Sequence, residues 1–201
     1  MKLFYKAGAC SLSPHIVLNE CGLSYASEAV DLVTKKTETG SDYLAINPKG
    51  SVPALLLDDG QILTEGAVIV QFLADRAPEK KLAPPMGSME RYRLMEWLNF
   101  IASDLHKTFG PLFNPKVPAD AKAVFKDILA ARLAAPARVL ADKPFLMGDA
   151  FSVADAYLFT VLNWAPRVGL ELPPSLAAYL TRVAARPAVQ ATLVAEGLIP
   201  A

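Results

Sequence analysis

The segment Asn47-Pro48-Lys49-Gly50-Ser51-Val52-Pro53-Ala54-Leu55-Leu56-Leu57, continued by Asp58-Asp59-Gly60-Gln61-Ile62-Leu63-Thr64-Glu65-Gly66-Ala67, decides the fold. Pro53 forces Val52 into an extended conformation, because the pyrrolidine ring clashes with a helical predecessor. Pro53 also lacks an N–H, so the chain here cannot join a sheet ladder on both sides. Val52 is therefore expected to keep its own backbone N–H and C=O free, as a docking edge for another peptide. Ala54-Leu55-Leu56-Leu57 reads as a buried strand, Asp58-Asp59-Gly60 as a tight turn, and Ile62-Leu63 as the returning strand. Thr64 has the chemistry of an N-cap, which places Glu65 in the first turn of the next helix. Helix N-termini present unpaired N–H groups and bind carboxylates. A small peptide with a free carboxylate fits both features at once; an ordinary hairpin with a Pro turn fits the same residues.

Upstream, Lys2-Leu3-Phe4-Tyr5 reads as a strand and Gly8-Ala9-Cys10-Ser11 as a loop of small residues. Leu12 to Cys21 reads as a helix, with Ser11 as cap, Pro14 in the first turn and Gly22 as stop. Tyr25 to Val30 alternates and reads as a second strand. Strand, helix, strand at this spacing is a βαβ unit, so its two strands are expected to be parallel. Asp31 to Gly40 is polar and irregular, and Asp42 to Ile46 a short helix. With the helix from Glu65 to about Arg76, the order is β-α-β-α-β-β-α, a small mixed sheet with helices on both faces.

Downstream the composition changes. Ala77 to Gly87 carries Pro78, Pro84 and Pro85 and reads as a linker. Everything after it reads as helical: Ser88 to about Thr108, a Pro-rich break from Phe109 to Pro118, then Ala119 to about Asp142 with a kink at Pro136. Phe151-Ser152-Val153-Ala154-Asp155 is a capping box with a staple, opening a helix to about Arg167. Further helices run from Ser175 to about Ala185 and from Pro187. The fold class is α+β with two domains, 1–80 and an all-α 88–201, joined by 81–87.

The chain has 201 residues with 53% hydrophobic residues, enough for a large core. Lys+Arg and Asp+Glu are both 20, so no global charge favours nucleic acid or an anionic membrane. No uncharged apolar run approaches the roughly 20 residues of a membrane helix, and Lys6, Pro14, His15 and Asn19 interrupt any signal-like stretch. Two cysteines, Cys10 and Cys21, are too few for a disulfide framework, which points to a reducing cytoplasm.

Cys10 leads the candidates for chemistry. At the start of the first helix, the dipole and spare N–H groups favour its thiolate; a small core cysteine is the plain alternative. Cys21, beside Gly22, reads as packing, and so does His15 among Ile16, Val17 and Leu18. Asn99, Ser103 and His106 follow one another at steps of four and three, and so share a helix face with Asp104 nearby. Such polar groups need partners or water; a solvated face is the competing reading. Trp97, Trp164, Phe109 and Phe113 either line an apolar cleft or fill a core. The Lys35-Lys36 pair faces solvent or meets a ligand carboxylate.

Taken together, Lys2-Leu3-Phe4-Tyr5, Gly8-Ala9-Cys10-Ser11, the segment from Asn47 to Leu55, Leu63-Thr64-Glu65-Gly66, Trp97-Leu98-Asn99-Phe100-Ile101 through Leu105-His106-Lys107, and Phe151-Ser152-Val153-Ala154-Asp155 resemble the cytosolic glutathione S-transferases, most closely the bacterial beta class. The resemblance implies a thioredoxin-like first domain, a cis Pro53, and a homodimer with glutathione as co-substrate and no metal. It implies that Val52 pairs its backbone with the cysteinyl part of glutathione and that Glu65 and Gly66 hold the γ-glutamyl end. In most classes a Ser follows that Glu; Gly66 leaves only backbone contact. Cys10 would face the glutathione sulfur, and Lys35 would reach a glutathione carboxylate. Asn99 and His106 would approach the thiol, with Ser103 and Asp104 supplied by the neighbouring subunit. The beta pattern gives the central place to Cys10 rather than Tyr5.

The function expected from this is transfer of the glutathione thiol to a hydrophobic electrophile held in an apolar cleft between the domains, with Cys10 and His106 as catalytic residues. Thiol–disulfide exchange, peroxide reduction or reductive dehalogenation through Cys10 is the redox alternative, with no Cys-x-x-Cys to resolve it internally. A non-catalytic glutathione- or ligand-binding protein is the third. No nucleic acid and no membrane partner are expected.

Overall fold

The computed structural model describes residues 1–200. It divides into two compact units: Met1–Lys81 together with the segment from Ala185 onward, and Leu82–Ala184.

In the first unit the elements are β1 (Lys2–Tyr5), α1 (Leu12–Cys21), β2 (Ala26–Asp31), β3 (Lys36–Thr37), α2 (Tyr43–Ile46), β4 (Ala54–Leu56), β5 (Ile62–Thr64) and α3 (Gly66–Arg76). The sheet order is β3-β2-β1-β4-β5. β1 pairs parallel with β2, Lys2 opposite Ala26, as the βαβ spacing demands. β1 also pairs antiparallel with β4, Leu3 opposite Leu55, so the first strand lies at the middle of the sheet. Leu3, Phe4, Ala54 and Leu55 are buried, because a central strand covered on both faces has no polar side to show. α1 stops where the sequence says it should: Gly22 is left-handed at φ 65, and its N–H bonds back to Asn19 and Leu18.

Three expectations are corrected here. The stretch from Asp31 to Gly40 contains β3, paired antiparallel with β2 through Val30–Thr37 and Asp31–Lys36. Thr64 does not cap α3; it is the last residue of β5, and the N-cap position falls to Glu65. The last helix, α9 (Pro187–Ala195), groups with the first unit rather than with the helical one. Its attachment is specific: Asn19 donates to the Thr192 hydroxyl at 2.7 Å, and Arg186 forks onto Glu20 at 2.6 and 2.9 Å.

The second unit is helical: α4 (Met89–Phe100), a π-helical turn (Ile101–His106), α5 (Lys107–Phe113), α6 (Ala119–Asp142), α7 (Val153–Leu162) and α8 (Pro174–Ala184). Ser88 caps α4 by accepting the Arg91 N–H at 3.1 Å. The expected break at Phe109 is displaced to Asn114, because Pro111 is accommodated inside α5. α7 ends at Leu162 rather than near Arg167; a turn and the 3₁₀ segment Pro166–Val168 follow. The capping box of α7 is present, and it is a buried hub. Asp155 accepts from the Ser152 N–H and hydroxyl, the Leu146 N–H and the Tyr179 hydroxyl, at 2.9, 2.8, 2.9 and 3.2 Å. Among the described residues no helix is long and apolar enough to cross a membrane.

Candidate functional site

The loop between β1 and α1 presents Cys10. Its turn closes through the Ala9 N–H on the Lys6 carbonyl at 3.0 Å. Ser11 does not cap α1, contrary to expectation: its hydroxyl turns back and accepts the Lys6 N–H at 3.1 Å. A second anchor comes from far along the chain. Glu196 accepts the Gly8 N–H at 2.8 Å with one oxygen and meets His15 Nδ1 at 2.8 Å with the other. Both side chains of that pair are sealed from solvent, and the His15 ring lies 5.5 Å from each of Tyr5 and Tyr25. His15 is structural, as its apolar neighbours suggested, but nothing in the local sequence announced Glu196.

Cys10 itself is partly buried, and its Sγ lies 3.0 Å from the Val52 carbonyl oxygen, to which it donates. Burial pushes this thiol up to about 11, outweighing the opposing pull of the Cys10 and Ser11 backbone N–H groups; the Glu65 carboxylate pushes the same way. The expectation of a thiolate favoured by the helix start is therefore corrected. In this geometry Cys10 is a neutral S–H donor. Cys21 is buried against the Leu73 carbonyl at 3.6 Å and also pushed up to about 11, chiefly by burial.

The Val52–Pro53 bond is cis. The docking edge expected at Val52 survives by half: the carbonyl is taken by Cys10, and no described hydrogen bond uses the Val52 N–H. The preceding carbonyl, of Ser51, is held by the Tyr43 hydroxyl and the Asn47 side chain, both at 2.8 Å. Those two bonds fix the segment from the inside.

The remaining first-unit candidates converge on this segment. Lys35, left-handed at φ 57, donates from Nζ to the Gly50 carbonyl at 2.7 Å. Gly50 is itself at φ 64, and a Cβ there would lie 3.0 Å from Leu44 Cδ2, so any other residue would be strained and would push Leu44 aside. Glu65 has φ 70, an uncommon value for a side-chain-bearing residue and one that marks functional sites. Its exposed carboxylate meets Lys49 Nζ at 2.7 Å, and the same ammonium reaches Thr64 Oγ1 at 3.0 Å. Lys49 was not singled out from the sequence, although it stands inside the deciding segment. Gly66 opens α3. A Cβ built on it would come no closer than 3.8 Å to the Pro53 ring and the Ser13 hydroxyl.

In the second unit, Asn99, Ser103, Asp104 and His106 span the end of α4 and the π turn. The Ser103 hydroxyl lies 2.9 Å from the Asn99 carbonyl and 2.8 Å from the Asp104 carboxylate. Asp104 also faces Arg132 at 3.3 Å. The single shared face expected for Asn99, Ser103 and His106 is not formed. A π turn holds about one residue more than an α turn, so the three-residue step rotates His106 away. Ser103 is exposed, whereas His106 is half-buried with Nδ1 2.7 Å from the Tyr157 hydroxyl. Trp164 is the centre of an aromatic cluster, with His106, Phe109 and Phe113 at ring distances of 5.0, 5.7 and 5.9 Å. Trp97 stacks edge-on against Phe100 instead. π turns recur at functional sites, and this one delivers a histidine to an aromatic wall.

Residues 7–76 match the model of the glutathione S-transferase N-terminal domain, and residues 100–187 that of the C-terminal domain. The glutathione S-transferase GstA of Escherichia coli O157:H7 is 51% identical over 200 residues, covering 98% of this chain and 100% of its own. A sphingomonad glutathione S-transferase complexed with glutathione superposes with a TM-score of 0.95 at 48% identity, covering 99% of this chain and 100% of that one. The bacterial beta class enzyme of Sphingomonas chungbukensis gives 0.96 at 48% identity, with the same coverage. With a cis proline beside the cysteine loop, a left-handed glutamate at the mouth of α3, and matches that run almost end to end, the chain belongs to the glutathione S-transferase family.

Proposed function

We propose that this protein is a beta-class glutathione transferase that joins the glutathione thiol to small hydrophobic electrophiles, a detoxifying reaction in the cytoplasm. The observation that carries the proposal is the 3.0 Å bond from Cys10 Sγ to the Val52 carbonyl. Glutathione is a peptide, and its cysteinyl amide N–H is a better donor to that carbonyl than a thiol is. Once the peptide takes the carbonyl, with the Val52 N–H donating to the peptide's own C=O, the Cys10 S–H is released to donate to the glutathione sulfur. A donor aimed at a sulfur stabilises its thiolate. Glutathione thiol is near 8.5 unperturbed, so a two-unit shift, about 2.7 kcal/mol, makes it mostly anionic at neutral pH.

Glu65, set by its φ of 70 and its Lys49 pair, takes the γ-glutamyl ammonium, while Gly66 and Lys35 serve the carboxylates. Asn99 and His106 act on the thiol side. The exposed Ser103 and the half-buried Asp104 reach the site of the partner copy in a homodimer. The aromatic cluster around Trp164 supplies apolar surface of the kind an aryl electrophile needs.

Disulfide exchange through Cys10 is the less favoured chemistry, because the attacking species is a thiolate and this thiol is pushed up to about 11. Purified protein with glutathione and a chromogenic aryl halide tests the proposal. Saturable turnover in both substrates is expected. Absence of glutathione binding by calorimetry, together with no turnover across an electrophile panel, overturns it.

A further inference from the structure

Lys49 and Glu65 meet within the first unit with both backbones fixed and both side chains exposed. The turn that carries Lys49 is tied from the inside. Buried Asn47 accepts the Lys49 N–H at 3.2 Å with its side-chain oxygen and the Gly50 N–H at 2.9 Å with its backbone carbonyl. The same Asn47 holds the Ser51 carbonyl next to Val52. Glu65 is set by its φ of 70, and its backbone carbonyl takes the Val68 and Ile69 N–H groups, both at 2.9 Å. Its carboxylate does not turn back to cap α3, as an acidic N-cap residue ordinarily does. It meets the Lys49 ammonium instead, at 2.7 Å, with Thr64 Oγ1 steadying that ammonium at 3.0 Å. Exposed ion pairs stabilise a fold little, so stability does not account for a glutamate held left-handed toward a lysine.

Glu65 is also the group that takes the γ-glutamyl ammonium in the reading above. In the free protein an ammonium already sits there, that of Lys49. A γ-glutamyl end carries its ammonium and a carboxylate on one carbon, so it brings both charges to the pair together. The count of charges then separates the possible occupants. A zwitterionic head adds one charge of each sign, and the four can alternate. Glu65 faces the ligand ammonium, and Lys49 faces the ligand carboxylate, beside the N-terminus of α3 where a carboxylate is favoured. A head with an ammonium alone leaves two cations competing for one carboxylate. The flexible four-carbon stem of Lys49 is exposed, so passing from one carboxylate to its neighbour needs no backbone movement.

We propose that Lys49 is a specificity-determining residue: its ammonium occupies Glu65 in the free protein, yields that carboxylate to the γ-glutamyl ammonium, and passes to the carboxylate on the same carbon, so that the site selects a zwitterionic head group. The assignment rests on the glutathione reading above and adds to it the residue that reads the charge pattern of the γ-glutamyl end.

The test is isothermal titration of the full-length protein with glutathione and with 4-aminobutyryl-cysteinylglycine, which keeps the ammonium and lacks the neighbouring carboxylate. The parent binds glutathione about tenfold or more tightly than the analogue. Lys49→Met weakens glutathione up to about fivefold, because its carboxylate loses a cation. The same variant binds the analogue as well as the parent does or up to about twofold better, because the competing ammonium is gone. The preference for glutathione therefore falls about five- to tenfold, a change that a merely structural role, weakening both peptides alike, does not produce. Lys49→Arg keeps a cation and keeps the preference within about threefold of the parent. A preference in Lys49→Met within twofold of the parent overturns the proposal, and so does a loss in Lys49→Arg as complete as that in Lys49→Met. A parent protein that binds neither peptide overturns the glutathione reading, and this assignment falls with it; a parent that binds both, with a preference indifferent to residue 49, overturns this assignment alone.

Discussion

Replacing Gly66 by serine offers the most direct probe of the γ-glutamyl site. The position has room: the nearest atoms to a new Cβ are the Pro53 ring and the Ser13 hydroxyl, each 3.8 Å away, which is ordinary contact distance. Gly66 is the first residue of α3 and carries no positive φ, so a side chain there costs no backbone strain. Serine at this point sets a hydroxyl beside the helix N-terminus, where a carboxylate is already favoured. A hydrogen bond to a charged group contributes about 1.5–3 kcal/mol at full strength. Ordering the new hydroxyl and displacing its water remove part of that, leaving about 1–1.5 kcal/mol. The dissociation constant for glutathione should fall about five- to tenfold. Isothermal titration of parent, Gly66→Ser and Gly66→Ala measures it. Alanine fills the same space without a donor and is expected to match the parent. If serine binds glutathione no better than alanine, in proteins with equal melting temperatures, the assignment of Gly66 to the γ-glutamyl carboxylate is wrong.

Other outcomes follow from the same geometry. Asp155→Ala strands the buried Leu146 and Ser152 N–H groups, each worth about 1–3 kcal/mol when unsatisfied. A loss of about 3 kcal/mol is expected, or about 6–12 °C in melting temperature; a shift under 2 °C contradicts the hub reading. Glu28 is held down at about 2, first by the Lys2 ammonium and then by the Thr37 and Thr39 hydroxyls. Its stabilisation is complete above the unfolded carboxylate value of about 4.3 and is lost as pH falls through 2. Glu28→Gln should therefore flatten the acid limb of the stability curve between those pH values; an unchanged limb in chemical denaturation refutes this. Cys10, at about 11, should react with iodoacetamide slowly at neutral pH, at a rate that keeps rising tenfold per pH unit up to about pH 10. A rate that plateaus below pH 8, followed by mass spectrometry, contradicts a neutral thiol.

The parts of this fold that were legible in the sequence rest on local chemistry. Pro53, Asp58-Asp59-Gly60 and Gly22 each restrict their own neighbourhood, and the hairpin, the parallel β1–β2 pair and the end of α1 follow. The Ser152–Asp155 box was equally plain, because its partners are three residues apart. What stayed hidden depends on distant partners or on hydrogen-bond pattern. β3 is a two-residue strand of polar residues, and its pairing with Val30 and Asp31 leaves no periodic trace. The π turn differs from an α turn in that each backbone bond spans five residues instead of four, not by residue type, so the helix pattern placed His106 on the wrong face. The state of the Cys10 thiol is set by burial under the Val52 carbonyl, which outweighs the helix start that the sequence displays. Lys49 emerged only when Glu65 was seen to turn left-handed toward it.

The anchoring of the cysteine loop by Glu196 has a bearing on how the protein is made. The loop, α1 and the sheet are translated first, yet the carboxylate that receives both Gly8 and His15 arrives some 180 residues after His15. Until then an imidazole designed for a dry pocket lacks its counterpart, and the reactive turn beside it is held from one side only. A ribosome-bound chain thus carries an incomplete thiol site through most of its synthesis, and assembly of that site is a closing event that waits on α9.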